Sequence, residues 1–577
     1  MKVLPPMPRL ISLLVLSLSS TVNAGVEFDV ADPPSGLVDN LRARSGLAAE
    51  PCDAPAWRVQ RLFRRTEQDL VPALQAFGFY GAQIDKRLRR DDSCWHADVA
   101  VLLGARTTIA SRQINIQGEA ADDPQLATLF EELPLAVGAV LNHAEYESIK
   151  DRLRQFAAER GYLDFAFTRR ELRVNPQTAQ ADVLLDAESG PRYRFGELRF
   201  EQQTLDDDFV QRLAGLREQQ PYDARAVAGL DRRLSDAGYF QRVEVRPLRD
   251  QADELAVPIE VKLEPARQHA WRAGIGYATD TGPRASLHYD NRYVNRRGHR
   301  FESGLSLSPV LSSLTADYRV PGDDPITEYY SFGARLQHED TDTSISDSAL
   351  LVAKHTRKVG RWTQNRFVEL LHESSEIGDD KTTATLLMPG IGWDRMVADN
   401  PLRTRRGYRV NLELRAAHES LLSTATLFRF DANAKGIYRF GDGGRVTGRI
   451  DAGSVIGDSI EDLPASLRFF AGGDNSVRGY DYKSLGPLDA NDEPRGGRNL
   501  LVGSLEYEHP VVGDDWWAAA FVDAGNAFDS DSFDPKVGYG IGARWYSPVG
   551  RLRLDIAVPD DTSEDQWRLH FGLGADL

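Results

Sequence analysis

From about His269 onward, the chain runs in segments of roughly ten residues in which apolar and polar side chains alternate. In the segment 551–558, one set of alternate residues is apolar and the other includes Arg551, Arg553 and Asp555. Because successive side chains of a β-strand point to opposite faces, each segment has one apolar and one polar face. A soluble β-sandwich also alternates, but a charged face repeated over many successive strands is typical of an outer-membrane barrel with a water-filled lumen.

The length of this region sets the number of strands. Residues 267–577 accommodate about sixteen strands if each strand and its turn take roughly 19 residues. Tyrosine and tryptophan residues cluster near segment ends, as in interfacial belts; examples are Tyr329, Tyr330, Trp516, Trp517, Trp545 and Tyr546. No apolar run reaches the ~20 residues that a membrane-spanning helix needs. We therefore predict a 16-stranded antiparallel transmembrane β-barrel over residues 267–577.

The amino-terminal half repeats one unit of about 80 residues. Each unit contains an amphipathic helix that ends at a glycine and an aromatic residue, followed by an alternating strand. The helices are predicted over residues 67–77, 146–160 and 224–237, before Gly78, Gly161 and Gly238. Glycine readily adopts the positive φ that ends a helix. The repeat predicts three tandem α+β modules over residues 25–106, 107–190 and 191–266.

Residues 1–24 have a basic start, an apolar middle and a small-residue end, which is the pattern of a secretory signal peptide. A structural first helix is the alternative. In the oxidising compartment that a signal peptide implies, Cys52 and Cys94 are expected to form a disulfide, and two unpaired buried thiols are the alternative. The net charge of −17 argues against nucleic acid as a partner.

Motifs of known enzyme classes are missing from the sequence, which contains no GxSxG, HExxH or P-loop pattern. The glycine-rich stretches 274–276 and 538–542 do not open a helix, so neither predicts a phosphate site. The eleven histidines are scattered, and we expect His509 and His570 to be polar residues of the lumen or rim. We therefore expect no enzymatic activity, no cofactor and no metal site.

A candidate functional motif lies at residues 470–480, which read FAGGDNSVRGY. Its Arg478 is followed by two carboxylates on predicted lumenal faces, Glu506 and Asp523. If the segment folds back into the barrel, Arg478 is buried, and a buried guanidinium requires a carboxylate partner that its fork can bind with two hydrogen bonds. An arginine that stays in water in a long external loop is the alternative.

Together these features resemble the family of BamA-like outer-membrane assembly and secretion proteins, in which the repeated modules are POTRA domains. The residues that carry the resemblance outside the modules are Val477, Arg478, Gly479, Tyr480, Phe521 and Gly525. Three modules before a sixteen-stranded barrel are similar to the TamA branch of this family, as are the stretches GSLEYEHPV and RWYSPVGRLRLDIAVP. The chain ends in Leu577, whereas many barrel proteins end in phenylalanine.

The resemblance implies that the sixth extracellular loop places Arg478 in the lumen, in contact with Asp523 and Glu506. It also implies that the first barrel strand, near residues 273–278, meets the last, residues 567–575, at a weak lateral seam. Gly572 and Gly574 fit a seam because glycine weakens a strand interior, and relief of crowding in the lumen is the alternative role for both.

The implied function is to insert client β-barrel proteins, or to secrete autotransporter passengers, through this seam. The implied partners are unfolded outer-membrane protein clients, the lipid bilayer and a TamB-like protein anchored in the inner membrane. Residues 26–30 and 99–103 are candidate edges for docking that partner. The implied location is the outer membrane of a Gram-negative bacterium, with the modules in the periplasm. A two-partner-type secretion transporter for one dedicated substrate and a passive channel remain alternatives.

Overall fold

The computed structural model describes residues 25–91, 94–378, 380–400, 403–441, 443–529, 533–547, 550–560 and 567–574. The predicted signal peptide, residues 1–24, lies outside the described residues. The chain divides into two compact units. One contains the first two modules and part of the third, and the other contains the rest of the third module and the barrel.

The first module packs two helices on one face of a small sheet. Its elements are β1 (Gly25–Val30), α1 (Leu37–Arg44), α2 (Ala56–Ala76), β2 (Gln83–Arg90) and β3 (Trp95–Leu102). The helix α2 begins eleven residues before the predicted position, directly after Pro55. Its Leu70 and Leu74 enter the core. A disulfide joins Cys52 to Cys94.

The second and third modules repeat this plan. The second contains β4 (Thr108–Gln117), α3 (Pro124–Glu131), α4 (His143–Arg160), β5 (Ala166–Asn175) and β6 (Gln180–Glu188). The third contains β7 (Arg194–Glu201), α5 (Asp207–Ala214), α6 (Ala224–Asp236), β8 (Phe240–Pro247) and β9 (Ala256–Pro265). Gly78, Gly161 and Gly238 all have positive φ, as the predicted helix ends require.

The strand order is the same in each module and corrects one prediction. Within the described residues the sheets have the orders β1-β3-β2, β4-β6-β5 and β7-β9-β8, so the last strand of each module is central. Residues 26–30 lie on the edge strand β1. Residues 99–103, the second candidate edge, belong mostly to the central strand β3, whose backbone groups already pair on both sides. They cannot accept a further strand.

The carboxy-terminal half forms an antiparallel sheet that, in the part of the chain the structure describes, contains sixteen strands in sequence order from β10 to β25. This architecture confirms the predicted fold class. The strands are β10 (His269–Ala278), β11 (Gly282–Asn291), β12 (Arg300–Leu307), β13 (Leu311–Pro321), β14 (Glu328–Asp340), β15 (Ser344–Val359), β16 (Trp362–Ile377), β17 (Asp380–Ala398), β18 (Arg406–Ala417), β19 (Leu427–Arg439), β20 (Arg445–Gly457), β21 (Asn499–Val512), β22 (Trp516–Phe528), β23 (Lys536–Ser547), β24 (Gly550–Pro559) and β25 (Arg568–Gly574).

The two faces of the barrel wall follow the predicted alternation. Leu505 on β21 and Ile556 on β24 are exposed on the outside, while Glu506 and Asp555, one position away, are buried in the interior. Outward apolar residues and inward charged ones on the same strand are the arrangement of a barrel that stands in lipid. None of the helices in the described ranges is long and apolar enough to cross a membrane.

Part of the third module contacts the turn between β11 and β12. The hydroxyl of Tyr239 donates to the carbonyl oxygen of Gly298 at 2.7 Å, and the ring of Phe209 stands so close to Gly298 that a side chain there would overlap it. Arg296 pairs with Asp206 at 2.9 Å. This turn therefore fixes this part of the module to the barrel by both packing and charge.

Candidate functional site

The segment between β20 and β21, residues 458–498, enters the interior of the barrel, and we name it the inward loop. Its Val477 and Tyr480 are 0% and 1% exposed. They pack with Ala471 and Leu485 of the same loop and with Val502 of β21. The hydroxyl of Tyr480 donates to Asp560 at 2.7 Å. Burial of these apolar residues against the wall anchors the loop in the lumen.

Arg478 is the best-connected residue of the inward loop. Its Nε and Nη2 donate to the two carboxylate oxygens of Asp523 at 2.6 and 2.9 Å, and its backbone N–H donates to Asp523 as well. Its Nη1 donates to Glu506 at 2.8 Å and to Asp555 at 3.0 Å. The guanidinium lies 3.4 Å above the ring centre of Phe521, a favourable position for a cation.

Two further arginines share these carboxylates, and a third binds the neighbouring Glu508. Arg544, completely buried, binds Glu506 with two hydrogen bonds and also reaches Asp555. Arg551 connects Glu506 to Glu508, and Arg445 binds Glu508 with two hydrogen bonds. In the described residues this arginine–carboxylate network consists of Arg445, Arg478, Arg544, Arg551, Glu506, Glu508, Asp523 and Asp555.

The charges of the network balance, with four cations and four carboxylates in the described residues. Such balance is required because an unpaired buried charge is very costly. Burial alone would lower the pKa of the Arg478 guanidinium, but the carboxylates of Asp523, Glu506 and Asp555 outweigh it and raise the pKa above its ordinary value. Arg478 therefore stays protonated, and the loop stays attached by charge.

Three glycines of the wall stand where a side chain would not fit, and one of them makes room for the loop. A Cβ on Gly538 of β23 would overlap the carbonyl oxygen of Arg478, and a Cβ on Gly542 would overlap the carboxylate of Asp555. Gly525 of β22 is likewise too close to the backbone of Leu501 and Val502 to carry a side chain. Gly538 thus forms the floor on which the inward loop lies, whereas Gly542 makes room within the wall.

The boundary between β10 and β25, which we name the seam, differs from the other strand boundaries. In the described residues, β10 and β25 are the two ends of the sheet order, with no ladder of backbone hydrogen bonds between them. The contacts that do cross the seam include the backbone N–H of Phe571, which donates to the hydroxyl of Thr279 at 3.1 Å. The rings of Tyr277 and Phe571 are 6.4 Å apart between centroids. Gly572 and Gly574 pair with Arg553 and Arg551 of β24.

One group of side chains in the described part of the chain is close enough to surround a metal ion: Asp280, Asp474 and His570. The N–H of Gly479 donates to Nε2 of His570 at 3.0 Å, so the proton of the neutral imidazole lies on Nδ1, which faces Asp474 at 2.6 Å. Since both ring nitrogens are engaged, this imidazole has no lone pair to offer a metal. The group is a hydrogen-bonded junction.

The structure brings Arg478 together with both predicted partners, Asp523 and Glu506. Sequence reasoning missed Asp555, Glu508 and Arg544. Alternation places Asp555 and Glu508 on the polar face of their strands, so the sequence does contain a signal that they point inward. It does not tell which lumenal charges meet. It also gives no sign that His570 contacts the inward loop, because that contact joins residues 91 positions apart.

Comparison with known proteins agrees with this architecture. A model of the Omp85 superfamily domain matches residues 268–577. Residues 34–102 match a model described as POTRA domain TamA domain 1, and residues 193–265 match a POTRA model described as surface antigen variable number repeat.

Two curated relatives are outer membrane protein assembly factors BamA. The protein from Neorickettsia risticii is 22% identical over 75% of this chain and 61% of its own length. The one from Neisseria meningitidis serogroup B is 22% identical over 80% of this chain and 66% of its own length. The chain therefore spans about two thirds of these relatives or less. A solved structure of BamA from Haemophilus ducreyi lacking POTRA domains 1–3 has the same fold, with a TM-score of 0.68, 16% identity and coverage of 80% of this chain and 99% of that one.

Proposed function

The chain belongs to the Omp85 superfamily, and on that premise we propose that it is an outer-membrane protein that assembles other β-barrel proteins through its seam. The modules then lie in the periplasm and the barrel spans the outer membrane of a Gram-negative bacterium. The BamA proteins that the chain resembles are named outer membrane protein assembly factors, which supports the proposal. No catalysed reaction, nucleotide or cofactor is part of it.

The observation that carries the proposal is that, among the described residues, no backbone ladder joins β10 to β25. Elsewhere, neighbouring strands pair along their length, as in the fifteen residue pairs between β16 and β17. At the seam, backbone N–H and C=O groups of β10 and β25 that pair with no neighbouring strand in the described chain can accept another strand. Because an unpaired backbone group in lipid costs several kcal/mol, an incoming strand that pairs there enters the membrane without exposing its own backbone.

Strand lengths add support. β17 contains 19 residues, whereas β10 at the seam contains ten, close to the roughly nine to eleven that a tilted strand needs to span a bilayer. The wall is therefore lower at β10 than at β17, and a lower wall favours a thinner bilayer beside it. Thin lipid and an unpaired edge at the same place lower the barrier to insertion of a client strand.

We further propose that the chain is a TamA-like member of the family and works with a TamB-like protein anchored in the inner membrane. The match of residues 34–102 to a TamA-type POTRA model supports this. The edge strand β1 is the candidate docking site, since its outer side is free to pair in the described sheet and extended segments bind proteins by adding a strand to such edges. Clients would then include autotransporter passengers.

Two alternatives fit the structure less well. A two-partner-type transporter for one dedicated substrate resembles this chain, but typically has two modules, whereas the described residues form three. A passive channel needs an open lumen, whereas the inward loop occupies the interior and is fastened to the wall by Arg478. Small, irregular conductance in planar bilayers would agree with an assembly factor, and a stable wide pore would favour the channel.

The proposal is tested by closing the seam chemically. Tyr277 and Phe571 are changed to cysteine in the full chain, and a short bifunctional thiol reagent joins them after reconstitution into proteoliposomes; the described residues contain no free cysteine to interfere. The control pair is Leu552→Cys and Leu573→Cys, which joins paired residues of β24 and β25 and leaves the seam free. The yield of folded client barrels should fall to background only with the seam closed. Unchanged yield with a closed seam would refute opening at this place.

A further inference from the structure

The seam has no ladder in the described residues, yet the structure holds β10 and β25 side by side, so other groups must close it. The inward loop meets the seam at Asp474, four residues before Arg478. Asp474 and His570 are 5% and 3% exposed, and hydrogen bonds link Asp474 to both sides of the seam.

On the side of the first strand, Asp474 binds the residues that follow β10. The hydroxyl of Thr279 lies 2.8 and 3.0 Å from the two carboxylate oxygens of Asp474. The backbone N–H of Asp474 donates to the carboxylate of Asp280 at 2.8 Å. The inward loop is therefore attached to the end of β10 through both its backbone and a side chain.

On the side of the last strand, Asp474 accepts a hydrogen bond from Nδ1 of His570 at 2.6 Å. The other ring nitrogen of His570 accepts the N–H of Gly479 from the same loop. The imidazole is thus held between two points of the inward loop, and its orientation is fixed by one donor and one acceptor. β25 cannot move away from the loop without breaking both bonds.

Thr279 connects Asp474 to the last strand as well. Its single hydroxyl proton serves Asp474, while its oxygen accepts the backbone N–H of Phe571, the residue after His570. This N–H belongs to the edge of β25 that faces β10 across the seam. A side-chain hydroxyl on the first strand's end therefore satisfies a backbone group of the last strand in place of a ladder bond.

We propose that Thr279, Asp474 and His570 form a clasp that keeps the seam shut, with Asp474 as the positioning residue that couples the inward loop to both edge strands. The clasp rests on the proposed function only in that the seam is the exit for clients. It is distinct from the arginine–carboxylate network, whose partners lie on β20 to β24. Seam opening and release of the loop from that network are then separable events.

The test measures the seam directly in the full chain. Spin labels are attached at Ile275→Cys on β10 and Leu569→Cys on β25, two outward-facing residues that are 95% and 45% exposed, and their distance distribution is recorded in lipid nanodiscs. The variants Thr279→Val and Asp474→Ala remove the clasp, and Thr279→Ser keeps the hydroxyl. Asp489→Ala is the matched control, because Asp489 is an inward-loop carboxylate that accepts hydrogen bonds from its own turn.

We expect one short distance in the parent and in the Ser and Asp489 variants. Thr279→Val and Asp474→Ala should raise the long-distance population about tenfold, as expected for losing one or two hydrogen bonds. Unchanged distances in both variants, with folding verified by heat-dependent gel mobility, would overturn the clasp. Client assembly is measured on the same samples. If the seam opens in the variants but no sample assembles the client, the clasp stands and the proposed function is rejected. If the samples assemble the client while the seam distances are unchanged in both variants, the proposed function stands and the clasp is rejected.

Discussion

Two of the places at which the inward loop is held to the barrel are built differently. At Arg478, three carboxylates on three strands bind one guanidinium, and three other arginines share those carboxylates or their neighbour Glu508. At Asp474, one carboxylate, one hydroxyl and one imidazole bridge two strands that have no ladder in the described chain. The first attachment contains several arginines that share carboxylates, whereas the second depends on single side chains. On the proposed function, this difference distinguishes the part of the wall that stays closed from the part that opens.

The strongest test of the first attachment is Arg478→Ala. Breaking a buried, hydrogen-bonded ion pair costs about 3–5 kcal/mol, because the partner carboxylates remain buried without their cation. The loop should leave the lumen, and protease added from outside should cut it in intact cells. Arg478→Lys should be almost as damaging, since an ammonium cannot reproduce the two-pronged contact with Asp523.

The matched control for these changes is Arg495→Lys in the same loop. Arg495 pairs with Glu461 and Asp529, and all three side chains are partly exposed to solvent. Exposed pairs contribute less than about 1 kcal/mol, so protease protection should be kept. Full protection of the loop in Arg478→Ala would contradict the network as its anchor.

A smaller effect is expected from the floor under the loop. Gly538→Ala places a Cβ on the carbonyl oxygen of Arg478, and relieving such an overlap costs about 1–3 kcal/mol. Loop protection should fall part of the way toward that of Arg478→Ala. Gly436→Ala on β19, where a Cβ meets nothing within 4 Å, should leave protection intact. Equal protection in the two alanine variants would argue against backbone contact at β23.

The smallest effect concerns the seam itself. Gly572 does not have positive φ, and a Cβ there would meet only the flexible side chain of Arg553 among its near contacts. Gly572→Ala should therefore stabilise β25 by about 0.4–1 kcal/mol and lower the open population of the seam. The distance measurement between Ile275 and Leu569 reports this, with Gly448→Ala as the control. A more open seam in Gly572→Ala would show that the glycine is not a source of weakness.

The fold was largely predictable from the sequence, because the alternation of residues such as Leu554, Asp555 and Ile556 reports directly which face of a strand is buried. The repeat of Gly78, Gly161 and Gly238 reports helix ends for a similar local reason. Alternation placed Glu506 and Asp523 on lumenal faces as candidate partners of Arg478, but their contact with it was implied only by a family resemblance. Alternation identifies a face but not the depth or register at which two strands meet.

The clasp could not be predicted from the sequence. Asp474 lies in a loop where aspartate and glycine are common and uninformative, and His570 reads as one polar residue on a lumenal face. Their contact depends on how a long loop folds back and on which strands end the sheet. The role of Gly538 could not be predicted for the same reason, because the purpose of a strand-interior glycine is known only when the backbone that lies against it is known.

The central claim is that incoming strands meet the barrel at the seam. It is tested most directly by placing a photo-crosslinking amino acid at Ile275 of β10 or at Val368 of β16, two outward-facing exposed positions on different parts of the wall, and capturing a client during assembly. The account predicts adducts at Ile275 and none above background at Val368. Equal capture at both positions, or capture at Val368 alone, would contradict it.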